Sequence, residues 1–192
     1  IAHDCELRCG YCFAGTGTFH GERMLMPFAV GKAALDFLIQ NSEGRRNLEV
    51  DFFGGEPLLN FGVVKQLVAY GRELEQKHNK VFRFTMTTNG MGLTNEIIDY
   101  LNDEMSNVVI SIDGRKDVHD AVRKTRDGQG SYDAIIGNAK KLVQTRGDQD
   151  YFIRGTFTSR NLDFAADVLA LADEGFEQLS LEPVVLPESS SN

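Results

Sequence analysis

The feature that most constrains the fold is a strand-then-helix alternation that repeats about every 30 residues along most of the chain. Short runs rich in β-branched and aromatic residues are each followed by a longer segment with an apolar stripe at helical spacing. The predicted strands are 48–53, 81–88, 108–112, 151–158 and 179–182, and residues 1–3 are the tail of an earlier strand. The predicted helices are 28–40, 61–77, a segment capped by Thr94 or Asn95, 132–145 and 163–174. Residues 115–130 are predicted to be a charged loop. Repeated βα units form a parallel sheet covered by helices, so the predicted fold class is α/β.

Polar or glycine-rich groups directly follow the predicted strands. They are the cysteine loop, Gly-Gly-Glu-Pro, Thr-Asn-Gly, Ser-Ile-Asp-Gly and Leu-Glu-Pro. Periodicity alone does not separate a barrel from a doubly wound sheet, and in both the carboxyl ends of the strands build the active site. Because five such ends meeting at one mouth would surround a cofactor, we expect a partial (β/α)6 TIM-like barrel of parallel strands with outer helices. Its active site is predicted at the C-terminal strand ends.

All three cysteines lie between Cys5 and Cys12, with the spacing C-x3-C-x2-C. Three thiolates do not complete a four-ligand structural zinc site, and a [4Fe–4S] cluster normally takes four cysteines. With three, one iron keeps an open position for a substrate or cofactor, so the spacing predicts a cluster whose unique iron takes part in chemistry. Two alternatives stay open: Cys9 and Cys12 alone are typical of a redox dithiol or half a zinc site, and His3 is either a further ligand or a strand residue facing a neighbour.

Composition narrows the range of partners. The 192 residues carry a formal net charge of −8 with a pI of about 5.0, which argues against nucleic acid because phosphate binding needs a basic surface. No apolar run approaches ~18 residues and no basic-then-apolar start indicates a signal peptide, so no membrane partner is expected. An odd number of clustered cysteines does not form a disulfide framework, and thiolates kept reduced for a metal centre indicate a cytoplasmic location.

Two motifs together resemble a known family. The cysteine spacing with Tyr11 just before the last cysteine resembles the signature of the radical SAM enzymes, and Gly54-Gly55-Glu56-Pro57 resembles their GGEP motif. The resemblance implies that the three cysteines hold a [4Fe–4S] cluster and that its open iron chelates the amino and carboxylate groups of S-adenosylmethionine. It also implies that the GGEP backbone and Glu56 hold the methionyl ammonium and that Tyr11 packs near the adenine. Taken alone, Gly-Gly is a turn and Tyr11 a core aromatic.

The same resemblance implies further cofactor contacts at later strand ends, namely Asn89, Ser111, Asp113, Arg154 and Leu181. Asn89, Ser111 and Asp113 would bond ribose hydroxyls or the methionyl carboxylate, although Asn-Gly and Asp-Gly are also favoured turn pairs. Arg154 lies in an otherwise apolar strand, where a buried guanidinium is costly unless it is paired. We therefore expect it to bind the cofactor carboxylate, with an internal salt bridge to Glu182 or Asp113 as the alternative.

Three longer segments resemble one branch of the family. Residues 50–61, 154–158 and 180–185 resemble peptide maturases that carry a C-terminal SPASM domain, and most of all those of the SCIFF type. The resemblance implies Cys-to-Thr thioether cross-linking in a Cys-rich ribosomal precursor peptide, with a reducing electron donor of the flavodoxin or ferredoxin type. The chain departs from that pattern because no cysteine follows Cys12 to bind the auxiliary clusters of a SPASM domain.

We therefore expect a piece of a longer protein. Its radical SAM core would be residues 1–186, with the first strand clipped, and residues 187–192 would be a linker towards a missing SPASM domain. Two other functions stay open: an enzyme of the anaerobic sulfatase-maturing type, which oxidises Cys or Ser, and a non-catalytic metal-binding α/β module. The sequence identifies no catalytic base.

Overall fold

The computed structural model describes residues 1–185, and the linker predicted at 187–192 lies outside them. The helices are α1 (Phe28–Gln40), α2 (Phe61–His78), α3 (Asn95–Glu104), α4 (Lys116–Val122), α5 (Tyr132–Arg146) and α6 (Phe164–Asp173), and the strands are β1 (Asn47–Phe52), β2 (Val81–Thr88), β3 (Asn107–Ser111), β4 (Asp150–Phe157) and β5 (Leu179–Pro183). None of these helices is both long and apolar enough to cross a membrane. The predicted helices and strands after residue 3 are all present, with ends within one residue of their expected positions.

The strands form one parallel sheet in the order β1-β2-β3-β4-β5. A doubly wound sheet reverses its strand order at a switch point, whereas sequential order keeps every right-handed crossover on the same face. The helices therefore cover one face, and the fold is the predicted partial barrel. Ala2 forms a parallel bridge with Gly54 just beyond β1, which is the position expected for the tail of a preceding strand.

The side chains of β2 and of most of β4 alternate between a covered outer face and an open inner face. In β2, Phe82, Phe84 and Met86 are buried beneath the helices, while Arg83 between them is half exposed on the inner face. Each large apolar side chain buried in this way contributes about 1.5–3 kcal/mol. Gly71 of α2 permits the closest approach, since a Cβ there would lie 2.6 Å from the Phe84 ring. The inner face stays polar and open, and it leads to the C-terminal strand ends.

The prediction of a simple loop over 115–130 is wrong, because α4 occupies its first half. The helix was missed because it is short and polar, and its one buried side chain is His119 rather than an apolar residue. The chain that follows pairs with the cysteine loop: Leu7 bridges Thr125, and the Arg8 N–H donates to the Lys124 carbonyl at 2.6 Å. This segment therefore forms one wall of the cysteine loop.

Candidate active site

A cavity of about 500 Å³ lies at the C-terminal ends of the strands. It collects all three cysteines and most of the predicted cofactor residues: Cys5, Cys9, Cys12, Tyr11, Gly54, Gly55, Glu56, Asn89, Ser111 and Arg154. Three predicted residues do not belong to its lining. Pro57 begins a buried 3-10 turn, Leu181 packs against the hydrophobic core, and Asp113 is fully buried behind the cavity wall.

The cysteine loop places one buried thiol, Cys5, and two half-buried thiols, Cys9 and Cys12, in the cavity. Cys5 is buried, and its Sγ accepts hydrogen bonds from the Leu7 N–H at 3.4 Å and the Asn89 side-chain amide at 3.5 Å. Burial raises the pKa of Cys5 to about 12 and also raises the pKa of Cys9. Without a metal, Cys5 and Cys9 therefore stay protonated at neutral pH, and a metal that binds them displaces the protons.

Within residues 1–185, no group of three His, Cys, Asp or Glu side chains is arranged to hold a single metal ion. A cluster does not require such convergence, since each thiolate binds a different iron. Three thiols that line one cavity are a donor set that a multinuclear centre can use. His3, considered as a further ligand, is exposed and stacks on Phe19 with ring centroids 5.0 Å apart.

The Gly-Gly turn docks directly onto the start of the cysteine loop. The Gly55 N–H donates to the Ala2 carbonyl at 2.7 Å, and the Glu56 N–H donates to the Asp4 carbonyl at 2.8 Å. A Cβ on Gly54 would lie 2.6 Å from the Ala2 oxygen, and one on Gly55 would collide with the Asp4 carbonyl. The two glycines are therefore required by the close approach of two backbone segments, in addition to facing the cavity.

Glu56 is a buried carboxylate that ties β1 to the end of β2. Its Oε1 accepts from the Leu58 N–H at 3.0 Å and the Thr88 hydroxyl at 2.8 Å, and its Oε2 accepts from the Asn89 N–H at 2.7 Å. Desolvation raises the pKa of Glu56 to about 7 despite these three donors. A cation brought into the cavity would favour the ionised form, because an opposite charge lowers a carboxyl pKa.

Tyr11 and Arg123 form a buried ionic cluster with Asp113. The Tyr11 hydroxyl donates to Asp113 Oδ2 at 2.6 Å, the Thr156 N–H donates to Oδ1 at 3.0 Å, and Arg123 Nε lies 3.0 Å from Oδ1. Asp113 thus anchors the aromatic residue of the cysteine loop to the ends of β3 and β4.

α4 supports this cluster through His119. The Asp113 N–H donates to His119 Nδ1 at 3.3 Å, and His119 Nε2 lies 2.9 Å from the Ser131 hydroxyl. Since that hydroxyl donates to the Arg123 carbonyl at 2.7 Å, Nε2 carries the ring proton. Burial lowers the pKa of His119 to about 4, so the ring is neutral.

Arg154 differs from its prediction in one respect. It is not buried, because the alternation of β4 turns it towards the open inner face, where about half of its side chain is exposed. There it pairs with Glu182 at 2.5 Å, which is the alternative partner considered from the sequence. The register places it beside Ser111, so the two polar side chains lie next to each other at the cavity.

Sequence reasoning missed several cavity residues. Arg123 is one of them, because nothing in the charged loop distinguished it from its basic neighbours. Phe13 and Phe53 also line the cavity, stacked with ring centroids 6.2 Å apart and both substantially exposed. Exposed aromatic rings at a cavity mouth were a usable signal for a binding surface.

Comparison with known proteins identifies the family of this chain. The sequence profile of the radical SAM superfamily matches residues 1–153. The cysteine-type anaerobic sulfatase-maturating enzyme of Clostridium novyi (strain NT) is 26% identical over 194 residues, covering 97% of this chain and 51% of the relative. The radical SAM cyclopropyl synthase TigE of Paramaledivibacter caminithermalis (strain DSM 15212 / CIP 107654 / DViRD3) is 23% identical over 172 residues, covering 84% of this chain and 34% of the relative.

Solved structures share the fold. The structure of native anSMEcpe with bound AdoMet gives a TM-score of 0.81 at 21% identity, covering 99% of this chain and 51% of that one. The same protein with bound AdoMet and the Cp18Cys peptide gives 0.80 at 22% identity, covering 99% of this chain and 50% of that one. This chain spans about half or less of the length of the curated relatives described above. The chain belongs to the radical SAM superfamily, and its cofactors are therefore a [4Fe–4S] cluster and S-adenosylmethionine.

Proposed function

We propose that this radical SAM core starts the radical modification of a peptide. The observation that carries the proposal is that three thiols, the Gly-Gly-Glu turn and the polar strand ends all line one cavity. A volume of about 500 Å³ is in the range of small-molecule cofactor sites. The radical SAM superfamily match supports the enzyme class, and the rest of this section extends it to residues and substrate.

Different residues would bind the cluster and the different groups of S-adenosylmethionine. Cys5, Cys9 and Cys12 would each bind one iron and leave the fourth iron open. Ionised Glu56 would accept hydrogen bonds from the methionyl ammonium, since its Oε2 has a single donor and can accept another. Arg154 sits in an exposed ion pair of low energy, so its guanidinium is available to a carboxylate. Together the two cofactors supply a 5′-deoxyadenosyl radical for hydrogen abstraction.

A peptide is the substrate class that the surroundings of the cavity favour. Phe13 and Phe53 present exposed rings at its mouth, and the polar inner face of the sheet lies open beside them. A sulfatase-maturating relative matches this chain over 97% of its length, and a neighbour of the same fold was solved with a bound peptide. We infer that the electron is delivered by a flavodoxin- or ferredoxin-type donor.

Two peptide chemistries are compatible with this core. The first is Cys-to-Thr thioether formation in a Cys-rich precursor peptide, supported by the resemblance of segments 50–61, 154–158 and 180–185 to SCIFF-type maturases. Forming the C–S bond would transfer one hydrogen atom from carbon to the 5′-deoxyadenosyl radical, release the thiol proton to solvent and pass one electron to an iron–sulfur cluster as acceptor, so the peptide loses two hydrogens. The second is Cys or Ser oxidation in a sulfatase, which the match to the maturating enzyme of C. novyi favours.

The test is anaerobic reconstitution followed by reduction with dithionite in the presence of S-adenosylmethionine. We expect absorption near ~400 nm and release of 5′-deoxyadenosine, with a Cys5→Ala/Cys9→Ala/Cys12→Ala variant as the matched control. A colourless protein with stoichiometric zinc would refute the function. Mass spectrometry of a Cys-rich precursor and of a sulfatase peptide, each incubated with the full-length enzyme, distinguishes the two chemistries.

A further inference from the structure

Arg123 is a buried cation placed directly opposite a cysteine of the cluster loop. The Arg8 N–H donates to the Lys124 carbonyl at 2.6 Å, the Gly10 N–H donates to the Val122 carbonyl at 2.9 Å, and Leu7 bridges Thr125 in antiparallel register. This register sets Cys9 across from Arg123. Side chains at directly opposed positions lie on the same side of the pair, with Cβ atoms about 5 Å apart. Both residues line the cavity.

The guanidinium contacts the protein on two sides, at Asp113 and at the Tyr11 ring. Arg123 is 8% exposed, and its Nε lies 3.0 Å from Asp113 Oδ1. The N–H of that nitrogen is not directed at the carboxylate, so the contact is an ion pair rather than a hydrogen bond. The Arg123 Cζ also lies 5.5 Å from the centroid of the Tyr11 ring, which is in turn bonded to Asp113.

Arg123 keeps an unused donor. Its Nε has no hydrogen-bond partner among residues 1–185, although the side chain is nine-tenths buried and borders the cavity. Asp113, by contrast, is occupied by the Tyr11 hydroxyl, the Thr156 N–H and the Arg123 charge. The positive charge of Arg123 therefore borders the cavity, while the compensating carboxylate of Asp113 is buried behind the cavity wall.

A cation at this position would stabilise the extra negative charge that a cluster gains when it is reduced. Three thiolate ligands make a [4Fe–4S] centre anionic, and reduction adds one more negative charge. Charge and hydrogen bonds at the sulfur ligands set the reduction potential of such centres. In a buried site a nearby cation is weakly screened and favours the reduced state, while a carboxylate opposes it.

We propose that the Arg123–Asp113 pair sets the reduction potential of the cluster, with Arg123 raising it and Asp113 opposing that effect from behind. Arg123 acts through its positive charge and is not itself a cluster ligand. The inference rests on the proposed binding of the cluster by Cys5, Cys9 and Cys12. It goes beyond that proposal in assigning a role to a residue that neither the cysteine motif nor the Gly-Gly-Glu turn includes.

The test is a potentiometric titration of the reconstituted protein without S-adenosylmethionine, followed by electron paramagnetic resonance of the reduced cluster. Arg123→Met should lower the equilibrium constant for reduction at least tenfold, which is about 59 mV for a one-electron couple. Asp113→Asn should shift it in the opposite direction, and Arg123→Lys should stay near wild type. The double variant Arg123→Met/Asp113→Asn should give a potential between those of the two single variants, because it removes both opposing charges. Lys77→Met on the far end of α2 is the control for a lost surface cation.

The opposite signs keep the inference refutable even if one variant is unstable. Arg123→Met leaves Asp113 buried without its cation, so iron content is measured beside every potential. If Asp113→Asn holds the normal iron content and its potential is unchanged or lower, the inference is wrong. It is also wrong if Arg123→Met keeps the wild-type potential and only weakens S-adenosylmethionine binding. Failure of the wild-type protein to bind iron would instead refute the proposed function.

Discussion

The exchange Glu56→Gln tests how the cavity would hold an ammonium. Burial raises the pKa of Glu56 from 4.5 to about 7 in the folded chain. Since one pKa unit corresponds to about 1.4 kcal/mol, the ionised carboxylate costs the empty protein roughly 3 kcal/mol. The folded state binds this proton more tightly than the unfolded chain. Its contribution to stability is therefore present below pH 4.5 and is lost as the pH rises to about 7. The Gln variant should lack this dependence.

The affinity for S-adenosylmethionine should rise with pH, whereas the contribution of Glu56 to stability falls. An ammonium needs the ionised carboxylate, so affinity for S-adenosylmethionine should fall about tenfold per pH unit below the pKa of about 7. Losing one charge-assisted hydrogen bond costs about 1.5–3 kcal/mol, and Glu56→Gln should therefore bind about ten- to a hundredfold more weakly, with a flat pH profile. The cluster absorption should be unchanged.

The assay is equilibrium binding of S-adenosylmethionine to the reconstituted protein between pH 5.5 and 8.5, with unfolding of the iron-free chain measured in parallel. Glu75→Gln is the matched control, because Glu75 also accepts a backbone N–H, from Phe82 at 2.5 Å, but lies away from the cavity. Equal affinity of Glu56→Gln and wild type at pH 8 would place Glu56 outside the cofactor site. Loss of the cluster in Glu56→Gln would assign it a structural role instead.

Three further predictions follow from the same geometry. Replacing Cys5, Cys9 or Cys12 singly by Ala should abolish the cluster absorption, because no other cysteine exists in the chain, and a variant that keeps a normal spectrum would refute the ligand assignment. Arg154→Met should lower the free energy of unfolding by at most about 1 kcal/mol, since its ion pair with Glu182 is half exposed, but should weaken S-adenosylmethionine binding; a large loss of stability with normal binding would contradict this. After reconstitution, iron analysis should give about 4 Fe per chain. Reproducible binding of about 8 Fe would contradict the assignment of the three thiols to a single [4Fe–4S] cluster.

Most of the fold could be predicted from local patterns. The apolar stripes of α2 and α5, the β-branched run of β3 and the apolar and aromatic residues of β4 made these elements predictable, because each of them has a face that packs against the core. The choice between a barrel and a doubly wound sheet depended on strand order, which periodicity does not contain. The argument from strand ends favoured the barrel, and the sequential order of the strands confirmed it.

The cofactor site was predictable where chemistry is concentrated in adjacent residues. The cysteine loop and Gly54–Glu56 are contiguous motifs, and both line the cavity. Arg154 was misjudged as buried because the apolar neighbours Phe152 and Ile153 lie on both faces of β4, and Phe152 itself is exposed on the inner face. A strand with one open face carries apolar residues there too, so composition alone does not reveal its orientation.

Arg123 shows why the remaining part could not be predicted. Its significance comes from register: the pairing of Arg8 with Lys124 and of Gly10 with Val122 brings residues more than a hundred positions apart into opposition. In the sequence Arg123 is one basic residue of a charged loop, and such a residue is usually expected to have a solvent-exposed side chain. The Gly-Gly turn holds the cysteine loop from one side, and the Arg123 segment holds it from the other. A loop fixed on both sides presents its thiols in one arrangement. The positive charge of Arg123 would then stay at a fixed distance from Cys9. A fixed distance is what allows a side chain that binds no iron to influence the reduction potential of a cluster.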